Sequence, residues 1–213
     1  HITDWSDELS PFYDQARRML GVVINPSMTP ADEIMKAVAE DMGVGDTFVQ
    51  TPVGVFFGQP GQTVRDPFFG GVGPDRTGCI ECGSCMTGCR YGAKNTLLKN
   101  YLGLAENAGA TVHPLTTVDS VRQSPSGIWE IDTVRTGRTL RKYRLTFTAR
   151  HVVLAAGTWG TQNLLHKMKD SGTLPQLSDR LGVLTRTNSE SIVGAMKYKV
   201  DPALDLTRGV AIT

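Results

Sequence analysis

Between residues 58 and 94 the chain gives little from which to build a core. The stretch "GQPGQTVRDPFFGGVGPDRTGCIECGSCMTGCRYGAK" is dense in Gly, Pro and Asp. So long an irregular segment inside a compact domain is usually functional, or is held by something other than packing. All four cysteines of the protein lie in it: Cys79, Cys82, Cys85 and Cys89, spaced C-x2-C-x2-C-x3-C. That spacing lets successive sulfurs converge on one centre, which core packing does not explain. Three readings stand. The first is an iron–sulfur cluster, because the run matches that of bacterial ferredoxins. The second is a structural zinc, although zinc cysteines usually come as two separated pairs. The third is free or disulfide-linked thiols, since pairs in this run can bring their Cα atoms within roughly 7 Å. Two details weigh against the ferredoxin reading. No second run supplies the other cluster that the fourth cysteine serves in two-cluster ferredoxins, and Arg90 stands where Pro usually follows.

The remainder is an ordinary globular sequence. It has 213 residues, 40% of them apolar and 20% charged, enough for one large domain or two that share a core. The 22 basic and 21 acidic residues nearly cancel, so no nucleic-acid partner is indicated. No apolar run approaches the length of a membrane span. The start "HITDWSDELSPFYD" reads as the inside of a folded region, and the end "RGVAIT" reads as a strand cut short. An internal segment of a longer protein is expected.

The pattern along the chain predicts a mixed α/β fold. "SPFYDQARRMLG" predicts a helix capped by Ser10 with Pro11 at its first position. "TPADEIMKAVAEDMG" predicts a second, capped by Thr29, opened by Pro30 and closed by Gly43. "FVQTPVGVFF" reads as extended. A helix is expected over 96–108, capped by Asn95 or Thr96 and ended by Gly109, with Leu97, Tyr101, Leu104 and Ala108 on one face. "ATVHPLTTVDSVRQ" predicts a strand broken at Pro114. "GIWEIDTVR" and "RLTFTARHVVLAAG" predict further strands. The almost wholly apolar "HVVLAAG" suits a central parallel strand covered on both faces. A parallel pair around 111–114 and 151–155 is expected, followed by a helix over "TQNLLHKMKDSG".

"VVLAAGTWGTQNLL" carries Gly157 and Gly160 at the end of that apolar run and the mouth of a helix, the edge where open α/β sheets bind ligands. By spacing alone it is a plain strand-to-helix turn, because G-x-x-G lacks the full dinucleotide pattern G-x-G-x-x-G. "GGVGPDRTG" is close to that pattern but has Arg76 where the last Gly would stand.

Residue content adds to spacing. "ARHVVLAAGTWGTQNLLHKMKDSGTLPQLSDRLG" resembles the second flavin-contacting strand–helix unit of the glucose–methanol–choline oxidoreductases. "GAKNTLLKNYLGLAENAGATVHPLTTVDSV" resembles the stretch where that family's chain re-enters its flavin domain. The likeness covers most of the chain and is nearest to the sterol-oxidising branch. It implies part of an FAD-binding Rossmann-like domain interleaved with a substrate domain. Residues 1–94 would belong to the substrate domain, 95–185 to the middle of the FAD domain, and 186–213 to the return into the substrate domain. It implies an FAD-dependent oxidoreductase acting on a small-molecule alcohol, a sterol or another bulky apolar one. Val118 would contact the adenine end of FAD through its backbone. Ala156 and Gly157 would lie by the ribose and pyrophosphate, and Asn188, in "TNSES", would pass near the flavin ring. The family's G-x-G-x-x-G loop and catalytic His are not in these residues. His1, His113, His151 and His166 each read as structural or solvated, so no catalytic residue is named. Lys94 and Asn95 fall where the family places its flavin and substrate cavity. The alternative is an electron-transfer or metal-stabilised binding module with no chemistry of its own, built on the four cysteines.

Overall fold

Local capping decides where the helices begin. In the computed structural model, which describes residues 3–138, 143–186, 188, 190, 191, 194, 198, 199, 201 and 204–210, α2 spans Pro30–Asp41. Thr29 and Asp32 close a capping box on its first turn, with the Thr29 N–H donating to Asp32 Oδ2 at 2.7 Å. Gly43 follows its end in the left-handed region at φ +74°. The first helix departs from expectation. α1 spans Trp5–Met19, beginning before Ser10, with Asp4 as N-cap accepting from the Ser6 N–H at 3.0 Å and Asp7 and Glu8 in the first turn. Two acidic side chains and an Asp cap suit the positive end of the helix dipole better than Ser10 does. Pro11 then lies inside α1 and removes one intrahelical bond. The helix buries none of its residues, so water can satisfy the freed carbonyl.

The chain divides into two compact units, residues 1–111 with 196–213, and residues 112–195. In the first, β1 (Val23–Ile24) pairs antiparallel with β2 (Pro52–Val53), and β3 (Thr63–Val64) pairs antiparallel with β4 (Arg76–Thr77). Ribbons this short do not hold themselves together. The apolar core that they frame is small: Val53, Val55, Ala93 and Val210, with Phe57 and three cysteines packed against it.

A polar lattice fastens the unit instead. The Arg76 side chain is 1% exposed. Its Nε donates to Asn95 Oδ1 at 2.6 Å, and its two terminal nitrogens donate to the carbonyls of Pro74 and Lys99. Its guanidinium lies 5.2 Å from the centre of the Phe68 ring. Burial lowers the guanidinium's pKa, and the negative charge of Asp66 opposes that. Asn95 Nδ2 in turn donates to the Leu20 carbonyl at 3.0 Å, and Asn100 Nδ2 donates to the Asn95 carbonyl at 3.2 Å. Asp66, also buried, accepts from the N–H groups of Phe68, Phe69, Gly71 and Gly73 and so rigidifies the turn before β4.

The helix expected over 96–108 is interrupted. A 3₁₀ turn covers Leu97–Lys99 and α3 covers Tyr101–Asn107. Between them Asn100 has φ −134° and ψ −106°. Its side chain is fully buried, accepts from the Tyr101 N–H and donates to Asn95. Asn offers the backbone a local alternative to the helix, and here that alternative is taken. Gly109 ends the segment as expected, at φ +97°.

In the second unit, β5 (Thr116–Gln123), β6 (Trp129–Arg135) and β7 (Arg144–Ala149) form one antiparallel sheet in the order β5–β6–β7. α4 (Gly157–Asp170) packs on β5, with Met168 Sδ 3.1 Å from the Val121 nitrogen; these two side chains are 1% and 2% exposed. The expected parallel pair is corrected here: neither 111–114 nor 151–155 is a strand. Val153 is 87% exposed. An apolar run records how a strand would be covered, not which neighbour would bond to it, and no described strand lies beside 151–155.

The lattice around Arg76 predicts a large effect from one substitution. Arg76→Met in the full-length protein should lower unfolding stability by about 3–5 kcal/mol, since it strands the buried Asn95 and the part-buried carbonyls that Arg76 holds. Urea denaturation measures it, and a loss below about 1 kcal/mol would refute the role assigned to Arg76.

Candidate functional site

The four cysteines meet at one place. All four are free thiols, Cys82 exposed and the other three half-buried. They line a single cavity with Val55, Ile80, Ser84, Tyr91, Ala93, Lys94 and Gly209, enclosing about 20 Å³. The fourth cysteine therefore turns to the same centre as the first three.

The backbone is shaped to allow this. Glu81 adopts φ +54°, uncommon for a residue with a side chain. That turn brings its N–H to within 3.3 Å of Cys79 Sγ. The Glu81 carboxylate is held by the Ser27 hydroxyl. Gly83, at φ +69°, lies so close to the 204–210 segment that a Cβ there would come 2.2 Å from the Thr207 carbonyl oxygen. Its N–H donates to Gly209 at 3.0 Å, which fixes the loop on Val210 and the core. Lys94 Nζ donates to the Cys85 carbonyl at 3.2 Å.

The thiols differ in electrostatics. Burial pushes the Cys79 thiol up, the Glu81 N–H partly offsets this, and negative charge on Cys85, Glu81 or Cys82 raises it further. Burial also raises Cys89, but the N–H groups of Lys94, Ala93, Tyr91 and Gly92 outweigh it and hold that thiol below its ordinary value. Among the described residues, no three His, Cys, Asp or Glu side chains close on a single metal ion.

The flavin residues expected from the sequence lie in the second unit. Val118, 37% exposed, sits on β5 just before an irregularity in register, where Val118 faces Thr133 and Ser120 faces Asp132. Asp119 is thus the extra residue of a β-bulge, and a bulge re-aims its side chain. It reaches Lys167 on α4, whose Nζ donates to its carboxylate at 2.5 Å and to its carbonyl at 3.0 Å. Ala156 is the N-cap of α4 and supplies no side-chain cap. Gly157 opens the helix at φ +69°, and a Cβ there would meet nothing within 4 Å. An uncapped helix start with open space above it fits the phosphate of a dinucleotide. Gly157 and Lys167 are ten helical residues apart, about 15 Å along the axis. The structure therefore places Val118 and Gly157 towards opposite ends of α4. Asn188 is described and exposed, while residues 187 and 189 of "TNSES" lie outside the described residues.

The sequence did not single out Gln162. With Thr158, Trp159, His166, Gly182 and Thr185 it lines a groove of about 360 Å³ along α4. Its Oε1 is buried without a hydrogen-bond partner, so an acceptor stands ready for a ligand donor. The signal was the i, i+4 pair Gln162 and His166 on one helix face. Lys94 and Asn95 serve the first unit, Lys94 in the cysteine cavity and Asn95 in the Arg76 lattice. His113 packs against Phe147 with its ring tilted by 55° and the ring centres 4.8 Å apart, a structural contact.

Comparison with known proteins decides the family. The GMC oxidoreductase profile matches residues 68–176, just over half of the chain. The chain belongs to the GMC oxidoreductase family. It is 68% identical over 218 residues to proteins named cholesterol oxidase from two strains of Mycobacterium tuberculosis, CDC 1551 / Oshkosh and ATCC 25618 / H37Rv. It is 44% identical over 218 residues to a cholesterol oxidase of Acinetobacter baumannii. These alignments take in 98–100% of this chain but only 38–39% of each relative's length. GMC oxidoreductases are FAD-dependent, and the matched region is part of their Rossmann-like FAD-binding domain. The mixed α/β class expected from the sequence agrees with it.

The Asp119–Lys167 pair joins β5 to α4 and titrates. The hydrogen bond from Lys167 holds the Asp119 carboxyl below 3.8, with burial opposing and Arg144 adding to the effect. The folded value is depressed, so the stabilisation is complete above pH 3.8 and is lost as pH falls through the folded value. Asp119→Asn should cost up to about 1 kcal/mol at neutral pH, as befits a half-exposed pair. Thermal melts against pH should show the difference from wild type vanishing in acid. A difference that persists there would refute the ion pair as its source.

Proposed function

We propose that this protein is part of an FAD-dependent oxidoreductase that oxidises the hydroxyl of a bulky apolar alcohol, a sterol in the first instance. The observation that carries the reading is the uncapped, sterically open start of α4 at Gly157, inside the stretch that matches the family. The sterol is supported by the names of the relatives, at 68% and 44% identity. The division into substrate domain (1–94), FAD domain (95–185) and return to the substrate domain (186–213) is part of the proposal.

FAD, when bound, supplies the hydride acceptor. This chain's residues bind and orient it. The backbone at Ala156 and Gly157 receives the ribose and pyrophosphate at the positive end of α4. The Val118 main chain holds the adenine end, and the bulge at Asp119, tied to Lys167, fixes where that main chain points. Gln162 Oε1 accepts from a hydroxyl of the cofactor. Asn188 lies on the flavin-ring side. No residue here is assigned a proton-transfer role.

The full-length protein should purify with FAD and convert cholesterol to a ketone, with oxygen or an added acceptor taking the electrons. Gly157→Val should weaken FAD retention at least tenfold, about 1.4 kcal/mol, because the side chain fills the ligand's space and strains the backbone. Equilibrium dialysis against FAD measures it. Unchanged retention would remove Gly157 from the site. A second reading, an electron-transfer or binding module, is favoured by the cysteine cavity. It requires that no flavin be retained and no alcohol oxidised, so the same preparation separates the two.

A further inference from the structure

We infer that Cys79, Cys82, Cys85 and Cys89 ligate one cubane-type iron–sulfur cluster, seated between their loop and the small core of Val53, Val55, Ala93 and Val210. The inference does not rest on alcohol oxidation. Its first support is convergence: four sulfurs separated in sequence line the same cavity. In two-cluster ferredoxins the fourth cysteine of this spacing serves another cluster. Here Cys89 turns back to the centre used by the other three, so a single run suffices.

The second support concerns which metal group fits. A tetrahedral zinc holds sulfurs about 2.3 Å from one point, and so about 3.8 Å from one another. Among the described residues no three side chains close on a single ion in that way. The four cysteines instead line one cavity. The enclosed volume is about 20 Å³, and an inorganic core larger than that would extend beyond it on the side of Cys82, the exposed thiol. None of the four is in a disulfide.

The third support is the backbone. The Glu81 N–H points to Cys79 Sγ at 3.3 Å, and Gly83, in the left-handed region, donates its N–H to the Gly209 carbonyl, so the loop is held in shape around the cavity. Amide hydrogen bonds to ligand sulfurs are also a lever on cluster potential. The Lys94 ammonium lies in the same wall and balances the negative charge of a four-thiolate cluster. The group would also supply the bulk that the core of this unit lacks.

Metal analysis of the full-length protein, purified without oxygen, tests the inference. About four iron and four acid-labile sulfide per chain are expected, with a reduced-cluster electron paramagnetic resonance signal after dithionite. Zinc without sulfide overturns it. So does a protein that stays metal-free after anaerobic reconstitution with ferrous iron and sulfide while all four thiols titrate. Cys82→Ala should lose the cluster on gel filtration, whereas Ser84→Ala on the same rim should keep it. Full iron and sulfide in folded Cys82→Ala would overturn the four-ligand assignment. If that variant does not fold, the wild-type metal content decides. Flavin is assayed in the same samples, so failure of the cluster and failure of the FAD reading are seen separately.

Discussion

Arg76 is the fixed point of the first unit. Its guanidinium is taken out of water and satisfied by Asn95, by the carbonyls of Pro74, Asp75 and Lys99 and by the face of Phe68. A buried cation is tolerated only when its donors are met, so this one side chain dictates where its partners must stand. Through Asn95 it sets the Leu20 carbonyl just beyond α1, and through Asn100 the start of α3. Asn95 also bonds to Gly54 through its own N–H. The lattice thus does much of what an apolar core does elsewhere, and among the described residues the cysteine loop rests on four buried apolar side chains.

The two candidate sites are built by different means. The cysteine site is made from loops, with position enforced by left-handed residues and a close pass of the 204–210 segment. The flavin site is made from regular elements, an edge strand and a helix start. There the precision comes from one irregularity, the bulge at Asp119, which turns an otherwise alternating strand into a tether for α4. Loops suit a group bound by several side chains from one short segment. A strand and a helix suit an extended cofactor that meets main chain along its length.

Much of the local architecture was legible because it depends on near neighbours. Thr29, Pro30 and Asp32 specify the start of α2 among themselves, and Gly43, Gly109 and Gly172 end their helices because each takes a left-handed backbone cheaply. β6 falls within "GIWEIDTVR", read as a strand. The errors share a cause. Asn100 breaks the predicted 96–108 helix because its side chain is claimed by Asn95, which Arg76 has already placed. The apolar run 151–155 reads as a central strand, yet pairing is a property of two segments, and no described strand lies next to it. Gln162 escaped notice because an unsatisfied oxygen exists only once the groove around it has formed.

By itself the sequence determined the chain's family likeness, its capped helices, its helix-ending glycines and the spacing of its four thiols, since each of these is written in residues close together. Only the tertiary structure decided that Cys89 joins the other three at one cavity, that Arg76 is buried, and that Val118 and Gly157 stand towards opposite ends of α4. Those facts depend on contacts between residues far apart in sequence. Such contacts are chosen by burial and hydrogen-bond satisfaction summed over the folded chain, which no local pattern records.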